Sequence, residues 1–97
     1  MIFIFVEGVN GSECSVPDFD YYGGDIELVR DVSSEDQCQL ECQHLLDCLV
    51  WTYRHKFQEC YLKNALYDIR HSPGAIAGPK YCPSKQINFC LKEVDND

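Results

Sequence analysis

Residues 33–63, SSEDQCQLECQHLLDCLVWTYRHKFQECYLK, decide how this chain folds, and they hold four of its seven cysteines. Ser33 and Ser34 stand where a helix N-cap belongs. Gln37, three residues after Ser34, can return a hydrogen bond in a capping box, and Glu35 and Asp36 suit the positive end of the helix dipole. The spacing predicts a helix to about Leu46. Cys38, Cys42 and Leu45 fall on one face at i, i+4 and i+7, with Leu46 flanking them, so both thiols look into a core. After Asp47 the pattern changes. Cys48–Tyr53 (CLVWTY) is β-branched and aromatic and reads as a strand, on which Leu49, Trp51 and Tyr53 share a core face. A second strand is predicted at Glu59–Lys63, beyond a polar turn at 54–58. The stretch is a helix with two inward cysteines bolted to a hairpin that carries one cysteine on each strand.

Working outward, the chain has 97 residues, enough for one domain. A domain of this size buries only about 60–65% of the surface its unfolded chain exposes. Seven cysteines therefore read as covalent staples made in an oxidising, secretory setting. Zinc is the rival use of cysteine, but the spacing C-x23-C-x3-C-x5-C-x11-C-x21-C-x7-C contains no CxxC knuckle, and disulfides are favoured. There is no stretch long enough to span a membrane. Ile2–Val6 (IFIFV) is too short, and lacks the basic flank and cleavage site, for a signal peptide. We read Met1 as the start of an excised fragment and residues 1–13 as a lead or linker. Asn10-Gly11-Ser12 is an N-glycosylation sequon.

Formal net charge is −8, unevenly spread. Residues 1–50 hold eleven acids and one base (−10), residues 51–92 hold seven bases and two acids (+5), and Glu93, Asp95 and Asp97 add −3. Two solvated faces are the plain reading. The functional alternative is a dipolar domain whose basic end meets an anionic ligand or the acidic end of a neighbour. The overall acidity argues against nucleic acid as a partner.

Along the remaining chain, Phe19–Tyr22 reads as a short strand before a Gly23-Gly24 turn, and Ile26–Val32 as a strand leading to the helix cap. Residues 64–71 read as a loop or short helical turn. Ser72-Pro73-Gly74 is a turn signal, and Ala75–Cys82 a closing strand that Gly78-Pro79 confines to an edge or bulge.

With one thiol left over, seven cysteines allow 105 pairings (seven times fifteen), and spacing alone does not choose. Helix geometry brings Cys42 near Cys48, leaves Cys38 free to reach Cys60, and lets Cys14 and Cys82 tie the ends. Chain-entropy reasoning assigns these loops about 2.3, 3.4 and 4.4 kcal/mol respectively, close to 10 in total. That sum is comparable with the whole stability of a small domain, about 5–15 kcal/mol.

Cys38-x3-Cys42-x5-Cys48, Trp51 and Tyr53, Cys60-Tyr61-Leu62-Lys63 and Ala77-Gly78-Pro79-Lys80-Tyr81-Cys82 together resemble the PAN/apple domain. The likeness covers residues 14–82. It implies an α+β fold, a single disulfide-rich domain in which an antiparallel sheet of five to seven strands cradles one helix. It also implies nested bridges Cys14–Cys82, Cys38–Cys60 and Cys42–Cys48. Cys90 lies outside the six-cysteine pattern. It is expected to be unpaired here, and residues 83–97 to be a linker that begins a following module 76 residues on (90 − 14). Such repeats resemble the tandem apple-domain microneme adhesins of coccidian parasites. The resemblance implies a secreted or extracellular module, stored in a secretory organelle such as the microneme. Its expected partners are a protein receptor or host glycan and neighbouring apple modules. The alternatives are a structural spacer in a tandem array and a regulatory apple module of a secreted serine protease.

No P-loop, GxSxG or HExxH motif occurs, and His44, His55 and His71 read as surface histidines. Asp18, Asp20 and Asp25 read as a solvated face rather than a calcium loop. We expect no catalysis, no cofactor and no metal. Tyr67, Arg70 and His71, aromatic and cationic in the least regular segment, are the candidate ligand contacts. Leu40 falls on the helix side away from the cysteines.

Overall fold

The structure, a computed structural model, describes residues 14–83. Ile2–Val6, Asn10, Cys90 and the linker beyond Pro83 lie outside the described residues. The order is β1 (Val16–Tyr22), β2 (Asp25–Val29), α1 (Glu35–His44), β3 (Val50–Arg54), β4 (Glu59–Lys63) and β5 (Asp68–Pro79). The strands form one five-stranded sheet in the order β1-β5-β3-β4-β2, every pairing antiparallel.

The helix starts where its cap residues place it. Ser34 Oγ accepts from the Gln37 amide at 3.1 Å, and Gln37 Oε1 reaches back to the Ser33 amide and hydroxyl rather than to Ser34. It ends two residues before Leu46. An unbroken helix would hold residues six apart about 9 Å apart along its axis, whereas the Cys42–Cys48 bridge needs a Cα separation of 5.3 Å. The chain therefore turns back at Leu45, and Lys80 Nζ donates to the Leu45 and Leu46 carbonyls at 3.1 and 3.3 Å. Leu45 packs on the core, but Leu46 and Leu49 are exposed. The strand begins at Val50, so the alternation that buries Trp51 and Tyr53 does not extend back to Leu49.

The core lies between α1 and one sheet face. Cys38, Cys42, Cys48, Trp51, Tyr53, Cys60, Leu62 and Val32 form one buried cluster. Three bridges run through or beside it: Cys14–Cys82, Cys38–Cys60 and Cys42–Cys48. β2 is shorter than the predicted 26–32. Asp31, at φ 61, turns the chain after Arg30 and drops Val32 into the core. The Val32 carbonyl there accepts from the Tyr53 hydroxyl at 2.6 Å.

Burial, and then the negative charge of Glu35, push that hydroxyl above its ordinary value of 10.0. The folded state thus holds this proton more tightly than the unfolded chain does. The associated stability is complete below pH 10 and is lost as the pH rises through the raised value. Tyr53→Phe should cost about 1–3 kcal/mol by leaving a buried carbonyl unpaired. It should also flatten the alkaline limb of the stability profile, measured by denaturant melts at stepped pH.

The largest departure from the sequence reading is β5. Ser72-Pro73-Gly74 is not a turn between elements but a bulge inside a twelve-residue strand. Pro17 faces Ile76 and Phe19 faces His71, so residues 72–75 stand opposite Asp18 alone. Gly74 takes φ 88 there, Asp18 takes φ 66, and the Gly74 amide donates to Asp18 Oδ1 at 3.1 Å. Residues with turn propensity serve a bulge equally well when a neighbouring strand keeps pace alongside. Nor is β5 an edge strand, since it lies between β1 and β3. Pro79 is tolerated because β1 pairing ends at Ala77, short of it.

Candidate functional site: a polar depression on the open sheet face

Alternation along β3 and β4 sorts side chains to two faces. Trp51, Tyr53, Cys60 and Leu62 go to the helix side. Thr52, Arg54, Tyr61 and Lys63 go to the other. On that second face lies a depression of about 380 Å³, lined by Arg54, Tyr61 and Lys63 together with Asp20, Tyr22, Gly23 and Asp25 from the β1–β2 corner.

Its floor is an ion-pair network built around one buried lysine. Lys63 is 3% exposed, and its ammonium contacts Asp25 Oδ1 at 2.5 Å, the Gly23 carbonyl at 3.3 Å and Asp20 Oδ1 at 3.8 Å. Asp20 Oδ1 also accepts from the Thr52 hydroxyl at 2.8 Å, and Arg54 stands 3.8 Å from Asp20 Oδ2. The same Arg54 Nη2 donates to Ser72 Oγ in the β5 bulge at 3.0 Å. At the rim, the Tyr61 hydroxyl donates to Glu59 Oε1 at 2.7 Å, and this bond, followed by burial, holds the phenol above its ordinary range. The Arg70 guanidinium lies 3.7 Å over the Tyr22 ring and donates to Asp68 Oδ2 at 3.0 Å. That hydrogen bond raises the guanidinium further.

The three expected contact residues are not brought together. Arg70 and His71 are adjacent in β5 and so face opposite sides. Arg70 flanks the depression through Tyr22. Tyr67 also flanks it, its ring packed against Gly23, where a Cβ would come within 3.2 Å. His71 points the other way, edge-on to Phe19 at 5.5 Å. Asp20 and Asp25 join the network, Asp25 while remaining 54% exposed, and Asp18 stays exposed. Period-two alternation in the hairpin would have placed Thr52, Arg54, Tyr61 and Lys63 opposite the core, but not beside Asp20 and Asp25, which come from another strand pair.

The same pairing brings part of the charge asymmetry read from sequence together within the fold. Acids of the front half, Asp20 and Asp25, meet bases of the back half, Arg54 and Lys63, while Arg30 of the front half meets Glu59 of the back half at 2.8 Å. The depression is accordingly close to charge-neutral and rich in hydrogen-bonding groups. His44, His55 and His71 are all exposed. Among the described residues no group of three or more His, Cys, Asp or Glu is placed to hold a metal ion.

A five-stranded antiparallel sheet with one helix on its inner face, clamped by nested bridges, matches the PAN/apple class of small disulfide-rich fold. Residues 19–63 match the PAN domain family model, and the fold is that of solved apple and PAN domains. Over 65 residues, 67% of this chain and 47% of the relative, the sequence is 29% identical to microneme antigen L2 of Sarcocystis muris. The chain thus spans less than half the length of that curated relative. The fold is similar to the two N-terminal apple domains of Toxoplasma gondii microneme protein 4, with TM-score 0.65 and 22% identity over 79% of this chain and 50% of that one. It is also similar to a PAN module from Eimeria tenella, with TM-score 0.54 and 25% identity over 73% and 83%. The protein is secreted, in keeping with its microneme relatives and with three bridges of the kind that form and persist in an oxidising compartment. No helix among the described residues is long and apolar enough to cross a membrane.

Proposed function

We propose that this chain is a non-catalytic binding module of a microneme-type adhesin, taking a protein surface or a glycan of a host cell at the sheet-face depression. The observation that carries the reading is the depression itself. Matched carboxylates and cations, phenol hydroxyls and a partly open tyrosine ring suit a ligand that is neutral and rich in hydrogen-bonding groups. The kinship with microneme proteins supports storage in the microneme before release. A spacer role is less well supported, because the Cα atoms of Cys14 and Cys82 lie 5.6 Å apart. That is less than two extended residues span, so each module would lengthen an array very little. Nothing in the structure favours the protease-regulatory alternative.

Glycan-array screening and pull-down from host-cell surface extracts, each with the oxidised chain, test the reading. Tyr22→Ala should weaken binding of the ligand so found by tenfold or more, about 1.4 kcal/mol, at nearly unchanged melting temperature, since Tyr22 is 52% exposed. Asp25→Asn should weaken it as well and should also lower the melting temperature, because it takes the nearest charged partner from the buried Lys63. Full binding by both variants, or no ligand at millimolar concentration, rejects the assignment.

A further inference from the structure

We infer that the Cys14–Cys82 bridge is a mechanical bypass: tension running along the chain crosses the module through the sulfur–sulfur bond and leaves sheet and core unloaded. The bridge joins the outermost cysteines of the fold, 68 residues apart in sequence and 5.6 Å apart in space. A disulfide holds its Cα atoms within about 4.4–6.8 Å, so the two points where the chain enters and leaves the domain cannot separate. The non-covalent contacts lie in parallel with this short covalent link and feel load only if it lengthens.

The bypass sits where the fold is mechanically weakest. Val16, two residues after Cys14, pairs with Ala77, five residues before Cys82. The start of β1 and the end of β5 are therefore at the same end of an antiparallel pair. A pull applied there would peel the two strands apart one rung at a time instead of shearing many hydrogen bonds at once. The other ties at this end are scattered hydrogen bonds. Ser15 Oγ donates to Glu35 at 2.6 Å, the Lys80 amide to the Leu49 carbonyl at 2.9 Å, Lys80 Nζ to the Leu45 and Leu46 carbonyls, Gln43 Nε2 to the Lys80 carbonyl at 3.0 Å, and Gln39 Nε2 to Cys82 Sγ at 3.7 Å.

Nesting adds a second stop. If the outer link were open, extension would release residues 14–38 and 60–82 and then halt at Cys38–Cys60. The release is (38 − 14) + (82 − 60) = 46 residue spans, about 150–165 Å at full extension. The outer bridge is also the one a reductant can reach. Its cysteines are partly exposed, whereas Cys38, Cys42, Cys48 and Cys60 are fully buried. A dithiol opens it by thiolate attack on one sulfur, which expels the other as a thiolate. The reductant's second thiol then closes onto the mixed disulfide, releasing the second cysteine and oxidising the dithiol.

The value of such a link to an adhesin rests on the function proposed above; the mechanical claim does not. Only load passing along the chain is diverted, while load entering at the depression still crosses the sheet. The test holds the oxidised 97-residue chain by its two termini in optical tweezers and ramps the force, then repeats the ramp on the same molecule after brief dithiothreitol. No unfolding step is expected before reduction, and one step of about 150–165 Å after it. A step of that size in the oxidised chain overturns the inference, as does the absence of any step after reduction. A single step of about 225–245 Å, all 68 spans, would show the inner bridges opening together with the outer one and would overturn the nested stop. Cys14→Ser/Cys82→Ser, which should give the shorter step without reductant, checks that the outer bridge is responsible.

Discussion

Replacing Cys38 and Cys60 together by serine is expected to lower stability by about 3–5 kcal/mol, enough to shift the melting temperature by roughly 15–25 °C. The pair joins the helix to β4 at the centre of the buried cluster and closes a 22-residue separation. The loop alone accounts for about 3.4 kcal/mol, and two hydroxyls placed among Trp51, Tyr53 and Leu62 add a desolvation penalty. The Cys42→Ser/Cys48→Ser pair is the internal control. Its sulfurs are equally buried, but its separation is only 6 residues, so the expected loop contribution drops to about 2.3 kcal/mol. The first variant should melt below the second in matched calorimetry. Equal melting temperatures, or the reverse order, would mean that loop entropy does not govern these bridges.

Gly78→Ala is the second large effect, and it comes from a single methyl group. A Cβ at residue 78 would sit 2.2 Å from Trp51 Cζ2, 2.6 Å from Cε2 and 2.8 Å from Cη2. The indole cannot swing aside cheaply. It is fully buried, and its Nε1–H donates to the Pro79 carbonyl at 2.8 Å, one residue along the same strand. Overpacking of this kind costs about 1–3 kcal/mol and sometimes more, and a ring pinned along the clashing edge by a hydrogen bond belongs at the upper end. Denaturant titration followed by fluorescence of the chain's one tryptophan reads both stability and ring environment. A variant that melts like the parent, with an unshifted spectrum, would show that the ring does not lie against residue 78. Gly74→Ala makes the contrast. A Cβ there meets nothing within 4 Å, and its penalty is only that of φ 88, about 1–2 kcal/mol.

These two results bear on why the motif around Cys82 has its composition. Gly78 leaves room for Trp51, Pro79 accepts from the indole, and Lys80 satisfies the carbonyls left open where the helix stops. In C-x-L-K the roles alternate with the strand. Cys60 and Leu62 enter the core, while Tyr61 and Lys63 face the depression. Four adjacent residues thus build both sides of the sheet.

What the residues determine by themselves is local. The cap at Ser34, the i, i+4 placement of Cys38 and Cys42, and the hairpin with Glu59–Lys63 as its second strand follow from periods of 3.6 and two and from hydrogen bonds spanning a few residues. The cysteine spacing, with its family resemblance, carried the fold class and the sheet-and-helix architecture as well. What the tertiary structure alone decided joins residues far apart in the chain. The helix stop at His44 came from a disulfide constraint, and the bulge at Ser72-Pro73-Gly74 from β1 running beside it. The depression arose where the β1–β2 corner met the open face of the hairpin, putting Asp20 and Asp25 on Lys63 some forty residues away. The physical reason is that strand register and ion pairing are fixed by packing between elements. A sequence can show which face a side chain takes on its own strand, but not which strand will lie next to it.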